Sequence, residues 1–263
     1  MRKKHTGSAL YIGAVVVFMY LPILAVMVYS FSESKIAGIW GGFSMKWYGA
    51  LMNDRGMMRS IGNSLIVALM SSATAAVLGT ITALVTSDRR NRMGKAIERM
   101  MLLPMIIPEV VLAMVLMAFY SFLALPQGFL TLWLSHSTFC IPYVAIMVSA
   151  SLRSMDTSVV EAARDLGSGP VGAFFRVELP MLLPGVLSGS LFAFAMSFDD
   201  VIISVFVSGP KTTTLPLRVY TAMKTVPTPE INAVGTVCFL VSAVAAVIFL
   251  AIYRRIQSDE ENK

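Results

Sequence analysis

The chain contains six apolar stretches, each long enough to cross a lipid bilayer as a helix, which requires about 20 residues. Hydrophobic residues make up 56% of the sequence and charged residues 14%, whereas soluble domains contain about a quarter charged residues. Backbone groups inside lipid must hydrogen-bond within their own segment, and the chain lacks the alternating segments typical of a membrane β-barrel. The sequence therefore predicts an all-α membrane protein with six transmembrane helices, forming a single domain over residues 1–263.

The six predicted spans are separated by polar connections. Their approximate bounds are residues 9–29, 61–86, 100–125, 130–150, 182–207 and 231–253. The basic start of the chain, followed by the first span, is also typical of a signal peptide. This span is too long for the apolar part of a signal peptide and has no clean cleavage site, so we interpret it as an uncleaved span.

The distribution of Lys and Arg predicts the orientation of the spans. Loops on the side of both termini carry 14 of these residues, and the opposite loops carry the other 7. Because cytoplasmic loops are enriched in Lys and Arg, this asymmetry predicts that both termini are cytoplasmic. The same rule explains the net charge of +6, so we expect no nucleic-acid partner.

Three acidic residues, Glu109, Asp199 and Asp200, lie inside predicted spans, where an uncompensated charge is costly. Successive helical positions are about 100° apart, so the two aspartates cannot face the same way unless the helix is broken. No span contains Lys or Arg, and we interpret both histidines, His5 and His136, as isolated. A proton relay is disfavoured because we identify no histidine or lysine partner within the membrane.

Two interpretations of these carboxylates remain open. Either they bond to polar groups in the protein interior, or they line a path for a cation. Aromatic side chains nearby would favour the cation path, since ammonium groups bind aromatic faces. The candidates are Phe194, Phe198 and Tyr143.

Other sites of chemistry are not predicted. Cys140 and Cys238 lie in apolar stretches, and we interpret them as small buried residues and not as a disulfide or a metal pair. The chain has no G-x-x-x-x-G-K-[ST] loop, so we expect it to bind no nucleotide cofactor, and we expect no metal site.

A polar segment between the fourth and fifth spans reads EAARDLGSGPVGAFFRVELP over residues 161–180. Asp156 is placed to cap a helix that begins near Thr157, and Gly167 can end it because glycine adopts positive φ without penalty. A second short helix over residues 171–177 would lead into the next span. The positive-inside rule places this segment in the cytoplasm, which predicts a short rigid helix at the membrane surface.

This segment resembles the EAA loop of ABC-importer permeases at every fixed position, with Val177 where isoleucine is usual. The resemblance implies the type I ABC-importer permease fold, in which the loop, here about residues 153–181, forms the cytoplasmic coupling helix that docks on an ATPase. The residues that would couple to the ATPase are Glu161, Ala162, Ala163, Asp165, Gly167, Leu179 and Pro180. The helix and glycine signals alone would also fit an ordinary solvated loop.

Further short blocks together resemble the spermidine/putrescine family of these permeases, and more narrowly the second of its two permease subunits. They include Tyr29-Ser30-Phe31-Ser32, Pro108-Glu109, Ser197-Phe198-Asp199-Asp200-Val201 and Leu215-Pro216-Leu217. The Phe31-Ser32 pair departs from the more usual Phe-Asn. The resemblance implies a transmembrane permease subunit of an ATP-driven polyamine importer in the bacterial inner membrane, with Glu109, Asp199 and Asp200 on the substrate path.

The resemblance also implies partners, namely an ABC ATPase dimer that binds the ATP, a second homologous permease and an external polyamine-binding protein. Three alternatives remain. An importer of the same architecture could carry another small solute, although anions fit the buried acids poorly. An ion-coupled secondary transporter or channel would not explain the loop that contains Glu161, because it has no ATPase for the loop to contact. A membrane enzyme would need a clustered nucleophile, base or metal site, which the sequence does not show, so we predict that the chain is not an enzyme.

Overall fold

A computed structural model of the chain describes residues 3–36, 38–87, 92–225 and 229–261. Within these ranges the chain is helical, and the one β pairing is a bridge between Ser32 and Phe43. The helices are α1 (Lys3–Tyr29), α2 (Lys46–Asn53), α3 (Arg55–Ser87), α4 (Arg92–Ile106), α5 (Glu109–Phe122), α6 (Phe129–Ser154), α7 (Thr157–Asp165), α8 (Pro170–Ala173), α9 (Leu179–Asp199), α10 (Ile202–Val207), α11 (Leu215–Thr225) and α12 (Glu230–Glu261). The basic residues Arg2, Arg89, Arg90 and Lys263, which support the predicted orientation, lie outside the described residues.

The chain divides into two compact units. The first comprises Met1–Arg59 and Arg218–Val247, and the second comprises Ser60–Leu217 and Ile248–Lys263. The single permease domain expected from the sequence therefore stays a prediction. The polar segment at residues 161–180 and the three carboxylates of the predicted spans all belong to the second unit.

Four helical segments in the described part of the chain are long and apolar enough to cross a membrane. They are Tyr11–Tyr29, Arg55–Ser87, Phe129–Ser154 and Pro170–Asp199. The pair formed by α4 and α5 makes a fifth span if it is counted as one bent segment. The sixth predicted span corresponds to α12, whose described apolar part covers Glu230–Val244. The predicted all-α membrane architecture is thus confirmed.

The third predicted span is not one straight helix, as the sequence suggested. Helix α4 ends at Ile106 and α5 begins at Glu109, with a bend of 109° between them. Pro108 explains the break, because its ring disfavours helical backbone at the preceding residue and proline has no N–H to continue the ladder. Glu109 consequently lies in the first turn of a new helix.

The fifth predicted span differs from expectation at both ends. It begins at Pro170, because the expected short helix over residues 171–177 continues through a π-helical turn at Phe174–Glu178 directly into α9. It is interrupted at Asp200, where the backbone is extended with φ −65° and ψ 128°, and α10 restarts at Ile202. Because the span is broken here, the directions of the two adjacent aspartate side chains no longer follow from helix geometry alone.

Helices α6 and α9 pack antiparallel through a row of small residues on α9. Gly185, Gly189, Ala193 and Ser197 recur every four residues and face Ser151, Val144, Cys140 and His136 of α6 in turn. Small side chains let two helix backbones approach closely in membrane proteins. Val144 is fully buried, and its other side meets Gly79 of α3. Helix α6 therefore lies at the centre of this unit.

The glycine contact with Val144 predicts a measurable effect on stability. A Cβ on Gly189 would lie 2.9 Å from Cα of Val144, so Gly189→Ala requires the helices to separate. We expect a loss of about 1–3 kcal/mol, the usual cost of overpacking. Thermal unfolding of the purified protein in detergent would measure it.

The matched control is Gly62→Ala in α3, because nothing lies within 4 Å of the added Cβ. That substitution should be neutral or stabilising by up to about 1 kcal/mol, since alanine is the better helix former. Equal melting temperatures for the two variants would show that the α6–α9 contact is not tight.

Candidate functional site

The polar segment after α6 begins with a capped helix. The side chain of Asp156 accepts a hydrogen bond of 2.9 Å from the N–H of Ser158, at the start of α7. This backbone hydrogen bond lowers the pKa of the Asp156 carboxyl. The cap expected from the sequence is therefore present, and it satisfies one of the unpaired N–H groups of the first helical turn.

The same helix ends in a Schellman motif at Gly167. The N–H of Ser168 donates to the carbonyl of Ala163 at 3.0 Å, and the N–H of Gly167 donates to the carbonyl of Arg164 at 2.9 Å. Gly167 has φ +90°, a conformation that L side chains adopt only with strain. The glycine stop expected from the sequence is confirmed, and it directs the chain abruptly towards α8.

Only a few side chains anchor this segment, and most of the others are exposed. Val160 and Ala173 are buried, and α7 and α8 pack against each other and against the π-helical turn at Phe174–Glu178. Among the residues predicted to couple to an ATPase, Glu161, Ala162, Asp165, Gly167 and Pro180 are exposed and Ala163 and Leu179 are half-buried. Leu179 and Pro180 belong to the first turn of α9 and not to a loop.

Exposed apolar side chains surround these positions. Val159, Leu166, Val171 and Phe175 are 45%, 88%, 70% and 60% exposed. A capped helix that carries exposed apolar groups on a rigid base is suited to dock against another protein.

The two helix breaks bring the three predicted carboxylates into one region. Glu109 is in the first turn of α5, which packs against α10, and Asp199 and Asp200 flank the break between α9 and α10. Glu109 and Asp199 are exposed, whereas Asp200 is only 6% exposed. The neighbouring aspartates at the break are thus one accessible carboxylate and one buried carboxylate.

Asp200 caps the first turn of α10. Its Oδ1 accepts from the N–H of Ile203 at 3.2 Å, and its Oδ2 accepts from the N–H and Oγ of Ser204 at 2.9 and 2.8 Å. A carboxylate near the N-terminus of a helix also interacts favourably with the helix dipole. These contacts stabilise a buried charge without a Lys or Arg partner.

A further partner of Asp200 is His136, which the sequence interpretation had wrongly treated as isolated. His136 is completely buried on α6, with Nε2 at 3.3 Å from Oδ2 of Asp200 and Nδ1 at 2.7 Å from Oγ of Ser197. The statement that no histidine partner lies within the membrane is wrong for the same reason. The position of His136 inside the fourth predicted span could have revealed it, since a buried imidazole requires hydrogen-bond partners.

The carboxyl groups of Glu109 and Asp200 lie close enough for their charges to interact. Two carboxylates this close repel each other, and a proton or a cation between them removes the repulsion. The cluster can therefore accommodate positive charge next to the exposed Glu109.

The aromatic residues considered for cation contacts form two separate pairs. Phe194 stacks on Phe198 with ring centroids 5.9 Å apart, and Tyr143 packs against Phe192 at 5.1 Å. Phe198 is 8% exposed, so its ring is largely covered. Tyr143 belongs to α6 and the three phenylalanines to α9, so the rings form two separate pairs and not one cage.

No group of three His, Cys, Asp or Glu side chains that could hold a metal ion occurs among the described residues. Cys140 is buried, and its thiol donates to the carbonyl of Ala193 at 3.4 Å. This contact fits its interpretation as a small buried residue.

The fold is that of the membrane subunits of ABC importers. The chain superposes with a TM-score of 0.71 on a chain of a bacterial ABC transporter involved in the import of the acidic polysaccharide alginate, covering 97% of this chain and 96% of the other at 15% identity. It superposes with a TM-score of 0.66 on a chain of the inward-facing MetNI methionine ABC transporter, covering 76% and 95% at 17% identity. The predicted type I ABC-importer permease fold is confirmed.

The chain belongs to the family described as binding-protein-dependent transport system inner membrane component, which matches residues 75–260. It is therefore a multi-pass inner-membrane protein whose transport system includes a binding protein. The members of this family are transport components, which confirms the prediction that the chain is not an enzyme.

The chain is also similar in sequence to individual permeases of polyamine transport systems. The chain is 40% identical over 251 residues to the putrescine transport system permease protein PotI of Escherichia coli K12, covering 93% of this chain and 89% of that protein. It is 35% identical over 238 residues to the spermidine/putrescine transport system permease protein PotC of Haemophilus influenzae, covering 90% and 93%. The resemblance to spermidine/putrescine permeases seen in the sequence is confirmed.

Proposed function

We propose that this chain is the permease subunit of an ATP-driven ABC importer for polyamines. The observation that carries the proposal is the meeting of two broken helices that present the exposed carboxylates Glu109 and Asp199. Interrupted helices near the middle of a membrane commonly form transport sites, and paired carboxylates attract ammonium groups. The identity of 40% to a putrescine permease supports the same substrate class.

Within the proposed path, the three carboxylates have different tasks. Asp199 is exposed and available to an ammonium group of the substrate, and Glu109 lies beside the buried cluster where it can share a second positive charge. Asp200 is buried and satisfied by donors of its own chain, so its task is to hold the break and not to bind substrate. Polyamines carry several ammonium groups, which suits a path with more than one carboxylate.

The capped helix α7 would couple this path to ATP. Its exposed face, with Glu161, Ala162 and Asp165, would dock on an ABC ATPase, and Gly167 would fix the angle at which the helix is presented. An ATPase dimer would bind the ATP, so this chain would hold no cofactor itself. In this arrangement the α7 segment and both termini would be cytoplasmic, as the distribution of Lys and Arg predicts.

Two further partners complete the proposed importer. A second homologous permease would form the other half of the path. An external polyamine-binding protein would deliver the substrate and set most of the selectivity. ATP binding would draw the coupling helices together and open the path outward, and hydrolysis would reset it inward.

The test is purification of the tagged chain from bacterial membranes in mild detergent, followed by uptake assays. We expect an ABC ATPase and a second permease to copurify, and we expect labelled putrescine to enter cells or vesicles only with ATP and the binding protein. Uptake driven by an ion gradient without ATP would overturn the proposal in favour of a secondary transporter. ATP-driven uptake of another solute in place of polyamines would support the importer function but refute polyamines as the substrate.

A further inference from the structure

The imidazole of His136 contacts the chain on both sides of the break between α9 and α10. Its Nδ1 lies 2.7 Å from Oγ of Ser197, in the last turn of α9. Its Nε2 lies 3.3 Å from Oδ2 of Asp200 and 3.3 Å from Oγ of Ser204, beyond the end of that helix. One fully buried side chain of α6 thus joins the two pieces of an interrupted span.

The donors and acceptors around the ring determine its hydrogen bonds. An ionised Asp200 can only accept, so Nε2 of His136 carries the proton that faces it, and Nδ1 accepts from the hydroxyl of Ser197. Asp200 then accepts from the N–H of Ile203, from the N–H and Oγ of Ser204, and from His136. A carboxylate has about four acceptor positions, so none is left for a substrate ammonium.

The direction of Asp199 depends on this arrangement. Asp199 is the last residue of α9, and the extended backbone at Asp200 is the link that joins it to α10. Without His136, the Asp200 carboxylate would lose one donor while remaining buried, which favours its movement towards water. Any such movement changes the backbone that follows Asp199. The direction of the Asp199 carboxylate changes with it.

We propose that His136 is a positioning residue for substrate translocation: it holds Asp200 against the first turn of α10 and so directs the Asp199 carboxylate into the path. This inference rests on the proposed function, in which Asp199 contacts the polyamine. His136 itself does not contact the substrate, and its effect on transport acts through the carboxylates of Asp200 and Asp199.

A double-mutant cycle in the intact importer tests this inference. The variants are His136→Leu, Asp199→Asn and the double variant, with His136→Gln as the conservative change because the glutamine amide can donate to Asp200 from the position of Nε2. The readout is the initial rate of labelled putrescine uptake into cells over a range of concentrations, normalised to the amount of the chain in the membrane. Cys140→Ala is the matched control, since it removes an α6–α9 contact one turn along α6 from His136.

We expect His136→Leu to lower the maximal uptake rate about tenfold, as for one lost donor to a buried charge, and to leave KM unchanged because the binding protein sets it. His136→Gln and Cys140→Ala should stay within about twofold of the unchanged protein. The double variant should transport no more slowly than Asp199→Asn alone, because the two residues would act in one chain of contacts.

Three results would overturn the inference. They are normal uptake by His136→Leu, equal losses for His136→Leu and His136→Gln, or a double variant whose loss is the product of the two single losses. If His136→Leu does not accumulate in the membrane, Ser197→Ala removes one partner of the ring and enters the same cycle. Normal uptake by Asp199→Asn would instead refute the proposed path, so the two failures are distinguishable.

Discussion

Replacing Gly167 with valine is expected to uncouple transport from ATP hydrolysis while the chain still inserts and accumulates in the membrane. The residue has φ +90°, and a β-branched side chain in such a conformation costs about 1–3 kcal/mol. Nothing lies within 4 Å of the added Cβ, so backbone strain and not collision would change the protein. The Schellman hydrogen bonds of Ser168 and Gly167 would be lost, and α7 would be presented at another angle.

The measurements are putrescine uptake, ATPase activity of the purified importer and copurification of the ATPase. We expect uptake to fall at least about tenfold, since misplacing a docking helix breaks the mechanical connection on which transport depends. Gly167→Asn is a graded control because asparagine tolerates positive φ better than valine does. Gly169→Ala is the matched control, since Gly169 has an ordinary φ of −63° and open space around it. Normal uptake by Gly167→Val would refute the coupling role of this loop.

Replacing Asp199 with asparagine is expected to lower the maximal rate of polyamine uptake about tenfold or more, the size expected for one lost contact to a charged group. The substitution keeps the shape of the side chain and removes only its charge, and Asp199 is exposed, so the fold should be unaffected. KM should stay nearly constant because the external binding protein captures the substrate first. The measurement is concentration-dependent uptake of labelled putrescine in cells that lack other importers for it.

Two controls separate charge from structure. Glu33→Gln removes an exposed carboxylate in the segment after α1 and should leave the rate unchanged. Asp200→Asn weakens the cap of α10 and the contact with His136, so it should lower thermal stability as well as uptake. If Asp199→Asn transports normally, the cation path through this carboxylate is wrong, whatever the effect of the buried aspartate.

Much of the candidate coupling segment could be predicted because its structure depends on neighbours in the chain. Asp156 caps α7 through Ser158, two residues away, and Gly167 ends it through hydrogen bonds to residues three and five positions back. Residue type and spacing carry this information directly. The π-helical turn at Phe174–Glu178 was not predictable in this way, since the same residues suit an ordinary helix.

The cluster around the carboxylates was only partly predictable. The sequence places Glu109, Asp199 and Asp200 in apolar surroundings, and Pro108 carries a local signal for the break before α5. The contact of His136 with Asp200 was not predictable in this way, because His136 precedes the residues it contacts by more than 60 positions. It precedes Ser197 by 61 residues and Ser204 by 68. No local pattern joins positions so far apart.

The sequence by itself therefore determined the helical membrane class and the capped polar helix, because hydrophobic length, helix capping and glycine conformation act within a few residues. Only the tertiary structure decided which aspartate is exposed and which is buried. That choice depends on the close antiparallel packing of α6 and α9 through Gly185 and Gly189, which brings the imidazole of His136 to the end of a broken helix.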